Sequence, residues 1–159
     1  MAGRYEWVLL AHRMPREPSS PRITVWRRLR RLGVAQIVDG LVALPADART
    51  REQLEWVAEA VVEAGGEATV WMARLASARQ ERELADRMRT EVAAAYRAVT
   101  EEATTAAQDP EALRPRTLGR LRRELRRIGQ RDYFPPPERD DAHTAVQALV
   151  EHLDAEARR

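Results

Sequence analysis

Apolar positions along this chain change their spacing several times, and each change marks an element. Trp7 to Ala11 (WVLLA) is a continuous apolar run of strand length, broken by Pro15 and Pro18. From Ser19 the spacing becomes helical. Ser19 and Ser20 can cap a helix, and Pro21 suits a first turn because its missing N–H would have no intrahelical partner. A helix is therefore predicted from about Pro21 to Gly33, with Ile23, Trp26, Leu29 and Leu32 on its dry side and Arg27, Arg28 and Arg31 on the other. Ala35–Val38 and Leu41–Leu44 then flank Asp39-Gly40, a dipeptide suited to the positive φ angles of a two-residue hairpin, and Pro45 stops the second strand.

The next helix spans Thr50 to Ala64. It buries Leu54, Val57, Ala58, Val61 and Val62, exposes Glu52, Glu55, Glu59 and Glu63, and ends at Gly65-Gly66. Ala68–Ala73 (ATVWMA) reads as a fourth strand. Strand, helix, strand, strand, helix, strand is the split βαβ order, so residues 1–76 are expected to form an α/β (α+β) ferredoxin-like βαββαβ sandwich. Two helices shield one face of such a sheet; the other needs a cover, a partner or a ligand.

Residues 77–159 are expected to form a C-terminal α-helical extension. Leu84, Met88, Val92, Ala95 and Val99 recur at helical spacing in a long helix running to about Ala107, before Asp109-Pro110 breaks it. After Pro115, TLGRLRRELRRIGQ sets a seam of Leu118, Leu121, Leu125 and Ile128 against Arg116, Arg120, Arg123, Arg127 and Arg131, with Arg122 and Arg126 on the flank. Tyr133 to Pro137 form a stiff linker. A last helix, roughly Asp141 to Ala157, buries Ala142, Val146, Leu149 and Leu153.

Composition narrows the chemistry. With 159 residues, one main core is expected. No cysteine is present, which removes disulfides and thiolate metal sites. No apolar run approaches the ~20 residues of a membrane span, and the first ten residues lack a signal-peptide pattern, so no membrane contact and a cytoplasmic address are expected. All 27 basic residues are arginine. The net charge of +2 hides their clustering: eight lie in residues 1–33 and eight in residues 113–131. Localised positive charge is the footprint of a polyanion-binding surface, although a solvated helix face is the commoner reason for an arginine run.

The candidate nucleic-acid contacts are thus Arg116, Arg120, Arg122, Arg123, Arg126, Arg127 and Arg131 on the later helix, with Arg27, Arg28 and Arg31 on the first. Two readings stay open for the stripe: phosphate binding, or neutralisation by Glu81, Glu83, Glu101 and Glu102. Trp26 is by default a core residue, with base stacking as the alternative. Arg13, Arg16 and Arg22 surround the turn before the first helix, whose N-terminus could help them bind an oxyanion such as phosphate. Catalytic signals are poor. His143 and His152 are nine residues apart and point to different sides of a helix, and no nucleophile elbow, phosphate-binding glycine loop or zincin motif occurs. A non-enzymatic protein without cofactor or metal is expected.

The stretch WVLLAHRMPREPSSPRITVWRRLRRLGVAQIVDGLVALP resembles the N-terminal domain of ChrB-type chromate resistance proteins. Its pattern is strand, proline-rich turn, S-x-x-R-x-x-x-W-R-x-L, a glycine, a D-G hairpin and an L-P stop. GGEATVWMA and LRRELRRIGQRDYFPPP agree with later segments of that family, so the likeness covers most of residues 5–140. VWRRLRRLG and the hairpin also look, more loosely, like the ferredoxin-like middle domain of PaaX-type repressors. The resemblance implies a DNA-binding transcriptional regulator of chromate resistance whose partner is an operator duplex; a homodimer is expected on separate grounds, since it would match two half-sites and could cover the open sheet face. Fuller family members carry a second, C-terminal domain that this chain is expected to lack, so chromate sensing is not carried over. An interaction or oligomerisation module, and an oxyanion sensor without DNA binding, are the alternatives. The acidic metal ligand that CRISPR-associated ferredoxin-like nucleases carry after their first strand is replaced here by Ala11 and His12.

Overall fold

The computed structural model describes residues 4–159. In chain order its elements are β1 (Trp7–Arg13), α1 (Ser19–Leu32), β2 (Ala35–Val38), β3 (Leu41–Pro45), α2 (Ala48–Glu63), β4 (Glu67–Ala73), α3 (Ala78–Ala106), a short 3₁₀ turn (Glu111–Leu113), α4 (Arg114–Gln130) and α5 (Glu138–Ala157). They divide into two compact units at Arg87 and Met88, within α3 and not before it at the expected boundary of 76/77.

The first unit is a four-stranded antiparallel sheet in the order β2-β3-β1-β4. β1 is a central strand, as its unbroken apolar run predicts. The connection through α1 joins β1 to β2 across β3, and the one through α2 joins β3 to β4 across β1, so two split βαβ units interleave. Side chains alternate between the faces of a strand. Val8, Leu10 and Leu44, all fully buried, share the core with Val25 and Leu29 of α1 and Leu54, Val57 and Val61 of α2.

Local chemistry fixes the turns. Gly40 has φ +76° in the β2–β3 hairpin, and a Cβ there would come within 2.5 Å of the His12 carbonyl oxygen. The His12 amide donates to the Gly40 carbonyl at 2.7 Å, so only glycine allows that approach. Gly33 caps α1 at φ 75°, its N–H bonding back to the carbonyls of Leu29 and Arg30. α2 begins two residues before the predicted Thr50 because Asp47 and Thr50 form a reciprocal capping box. Thr50 Oγ1 also donates to the Pro45 carbonyl at 2.7 Å, which satisfies a hydroxyl that is fully buried.

α1 departs from expectation in its orientation. It starts at Ser19, and its buried residues are Val25 and Leu29, not Ile23 and Trp26, which are both exposed. Two apolar stripes compete on this helix, and the Val25–Leu29–Leu32 stripe meets the sheet. The opposite sheet face carries Trp7, Leu9 and, on β4, Trp71. The first turns of α3 cover part of it: Glu81 Oε1 accepts from the Tyr5 amide at 2.8 Å and from Trp7 Nε1 at 3.2 Å, and the Arg87 guanidinium donates to the Gln36 carbonyl at 2.7 Å. Trp71 remains exposed.

The second unit packs the rest of α3 with α4 and α5. Val92, Tyr96, Val99, Ala103 and Ala106 meet Leu121, Leu125 and Ile128 of α4 and Ala142, Val146 and Leu149 of α5 in one core. α4 and α5 each begin three residues before the positions their patterns predict, at Arg114 and Glu138. Acidic Glu138, Asp140 and Asp141 lie in the first turn of α5, where the helix dipole favours negative charge.

Candidate nucleic-acid interface

α4 carries the densest cationic surface of the second unit. Leu121, Leu125 and Ile128 turn inward, and successive residues step by roughly 100° around the helix, so the arginines between them are distributed over the remaining arc. They do not form one uniform stripe. Arg120 Nη1 donates to Glu102 Oε2 of α3 at 2.7 Å, which raises the already high guanidinium pKa. Arg127 lies 3.7 Å from Glu124, one turn earlier on the same helix. Arg131 follows the end of α4, half-buried and close enough to Tyr96 to favour ionisation of its phenol.

Arg116, Arg122, Arg123 and Arg126 are exposed, and none has an ion pair or side-chain hydrogen bond among the described residues. On the helical projection they span roughly 120°, with Arg116 next to Arg120 and with Arg122 and Arg126 farthest from it. Gly119 lies among them, and a Cβ built on it would sit 3.6 Å from Arg123 Nη1, so the Arg123 guanidinium reaches back over the glycine. The unpaired arc thus includes Arg122 and Arg126, which the heptad-like pattern places on the flank. Of the four glutamates that could neutralise the stripe, Glu102 does so at one arginine, Glu83 pairs with Arg79 at 3.5 Å, and Glu81 is buried against Trp7.

Arg114 serves the fold. Its Nε donates to the Asp109 carbonyl at 2.8 Å and its Nη1 pairs with Glu156 of α5, holding that carboxyl below its usual pKa. The cationic surface therefore begins two residues later, at Arg116.

In the first unit Arg27 and Arg31 are exposed on α1 and Arg28 is half-buried, none of them ion-paired among the described residues. Arg30 belongs with them. Its guanidinium carbon lies 5.0 Å from the centroid of the Trp26 ring, a cation–π contact. The periodicity contained a signal for this site, since Trp26 lies four residues before Arg30, but assigning the tryptophan to the core concealed it.

Of the oxyanion candidates, Arg13 is engaged with Glu67 at 2.7 Å, across the β1–β4 pair. Arg16 and Arg22 are exposed without an ion pair among the described residues. The helix they flank starts after Pro18 with no side-chain cap. Among the described residues no group of three or more histidine, aspartate or glutamate side chains could hold a metal ion. His12 is half-buried on β1; burial lowers its pKa, which a hydrogen bond with Leu10 partly offsets. Among the described residues no helix is long and apolar enough to cross a membrane.

No curated protein matches the chain, and no solved structure does. A family model does, from Arg22 in the first turn of α1 to Arg159, and so spans the arginines of α1 and α4. That model is described as "Protein ChrB, N-terminal", and its match over residues 22–159 places the chain in the ChrB N-terminal family, which relates it to chromate resistance.

Proposed function

We propose that this chain is a non-enzymatic, DNA-binding transcriptional regulator within chromate resistance, and that α4 supplies its contact with duplex DNA. The observation that carries this reading is the unpaired arc of Arg116, Arg122, Arg123 and Arg126. Four guanidinium groups left exposed on one side of a docked helix keep a high local positive potential, because no acidic neighbour neutralises them. Placed along a duplex, each phosphate contact releases condensed counterions, which makes binding strongly salt-dependent. Planar guanidinium groups also bind phosphate oxygens with two parallel hydrogen bonds. A homodimer would bring two copies of α4 to two half-sites, matching protein symmetry to operator symmetry.

Fluorescence anisotropy of a labelled duplex from the gene's own upstream region, beside a scrambled duplex, tests the proposal across several salt concentrations. The native duplex should bind more tightly, with affinity falling steeply as salt rises. The combined Arg122→Ala, Arg123→Ala and Arg126→Ala variant should lose binding while its melting temperature stays close to wild type. Equal affinity for both duplexes would reduce the protein to a nonspecific polyanion binder. An unaffected triple variant would move the contact off α4.

A further inference from the structure

From the exposed face of α1 we infer a second site, one that takes an unstacked nucleobase together with its phosphates. Trp26 stands 54% exposed on a helix whose other apolar stripe is buried. Around it Thr24, Arg27, Arg30 and Arg31 line an open depression of about 550 Å³. The Arg30 guanidinium lies over the indole, while Arg27 and Arg31, one turn apart, make no ion pair among the described residues.

A large aromatic ring held in water loses the burial that normally stabilises it, and a ligand that buries the ring while pairing the three cations around it would satisfy both chemistries. A carboxylate or a bare oxyanion would use the arginines and leave the indole idle. An apolar peptide would use the indole but desolvate the arginines without compensation. A nucleotide offers a π-face for Trp26, with Arg30 already positioned to stack, and phosphates for Arg27 and Arg31. Duplex bases are stacked on both faces, so the base that reaches Trp26 is unpaired: part of a single strand or of a free nucleotide. This inference does not rest on duplex binding by α4.

The test uses the full chain with the Arg122→Ala, Arg123→Ala and Arg126→Ala substitutions, which keeps α4 from contributing. A labelled oligothymidylate of roughly 12 nucleotides is titrated at low salt, a length within the usual single-strand site sizes. Binding should persist in this background. Adding Trp26→Leu should weaken it roughly tenfold or more, and Trp26→Phe should retain most of it, because a base stacks on either ring. Adding Arg27→Ala and Arg31→Ala should lower the salt slope by about 0.7 for each phosphate contact removed. Competition by thymidine monophosphate then separates the sources. If the mononucleotide displaces the oligomer at comparable concentration, the ligand is a free nucleotide; if it competes only at far higher concentration, the ligand is a strand. Equal binding by Trp26→Leu, at an unchanged melting temperature, or no binding in the background protein, would overturn the site. Loss of duplex binding by α4 variants alone leaves it intact.

Discussion

Tyr96 joins packing and electrostatics at one residue in the second unit. Its ring is fully buried in the α3–α4–α5 core, and its hydroxyl donates to Asp132 Oδ2 at 2.9 Å. Burial, with the neighbouring carboxylate, pushes the phenol from its ordinary 10.0 up to about 12. Because the folded value lies above the unfolded one, the stability it contributes is fully present below pH 10. It is lost as pH rises through 12. Urea midpoints should therefore fall across that interval for the wild type, and the fall should be smaller in Tyr96→Phe; parallel curves would place the alkaline transition elsewhere. Gly40 gives a second residue-scale expectation. Any side chain there meets both the positive φ and the His12 carbonyl, so Gly40→Ala should destabilise by about 1–3 kcal/mol in chemical denaturation. A change within a few tenths would mean that the hairpin relaxes freely.

At the scale of the element, α4 separates its structural cations from its available ones. Arg114 ties the helix start to Asp109 and α5, and Arg120 ties its middle to α3 through Glu102. Both partners of the Arg120–Glu102 pair are about half exposed, so the pair contributes little to stability, within about 1 kcal/mol. Glu102→Gln should leave the melting temperature almost unchanged. The same substitution frees Arg120 and removes a negative charge beside the arginine arc, so duplex affinity should rise and its salt slope steepen by up to about 0.9 if Arg120 gains a phosphate. Unchanged affinity would show that the contact lies on the side of Arg122 and Arg126 only. The stripe was legible from the 3- and 4-residue spacing of the arginines. Its subdivision was not, because Glu102 lies eighteen positions from Arg120 in sequence and reaches it only through helix packing.

For the molecule as a whole, the division inside α3 follows from where that helix makes its bonds. Its first turns belong to the sheet, where Glu81 accepts from both the Tyr5 amide and the Trp7 indole. Glu81→Ala would leave two donors without that acceptor, one of them buried, at a cost of about 1–3 kcal/mol. Native-state hydrogen exchange should show faster exchange of the β1 amides in this variant; unchanged protection would mean that water replaces the carboxylate without loss. The open sheet face that the βαββαβ order implied is therefore capped in part by the start of the extension, while Trp71 is left to solvent.

Element order, the hairpin at Asp39-Gly40, the long α3 and the seam of α4 were determined by the sequence itself, because periodicity, glycine and proline act locally. The family was likewise readable from motifs in the first 45 residues and after Gly65. Tertiary structure alone decided which stripe of α1 meets the sheet. Val25 and Trp26 are neighbours in the chain and both apolar, and only the sheet selects the stripe that is buried. It decided, for the same reason, which arginines of α4 are spent on the fold. Whether a guanidinium is neutralised depends on a carboxylate brought near by packing, and the order of residues within one helix does not contain that distance.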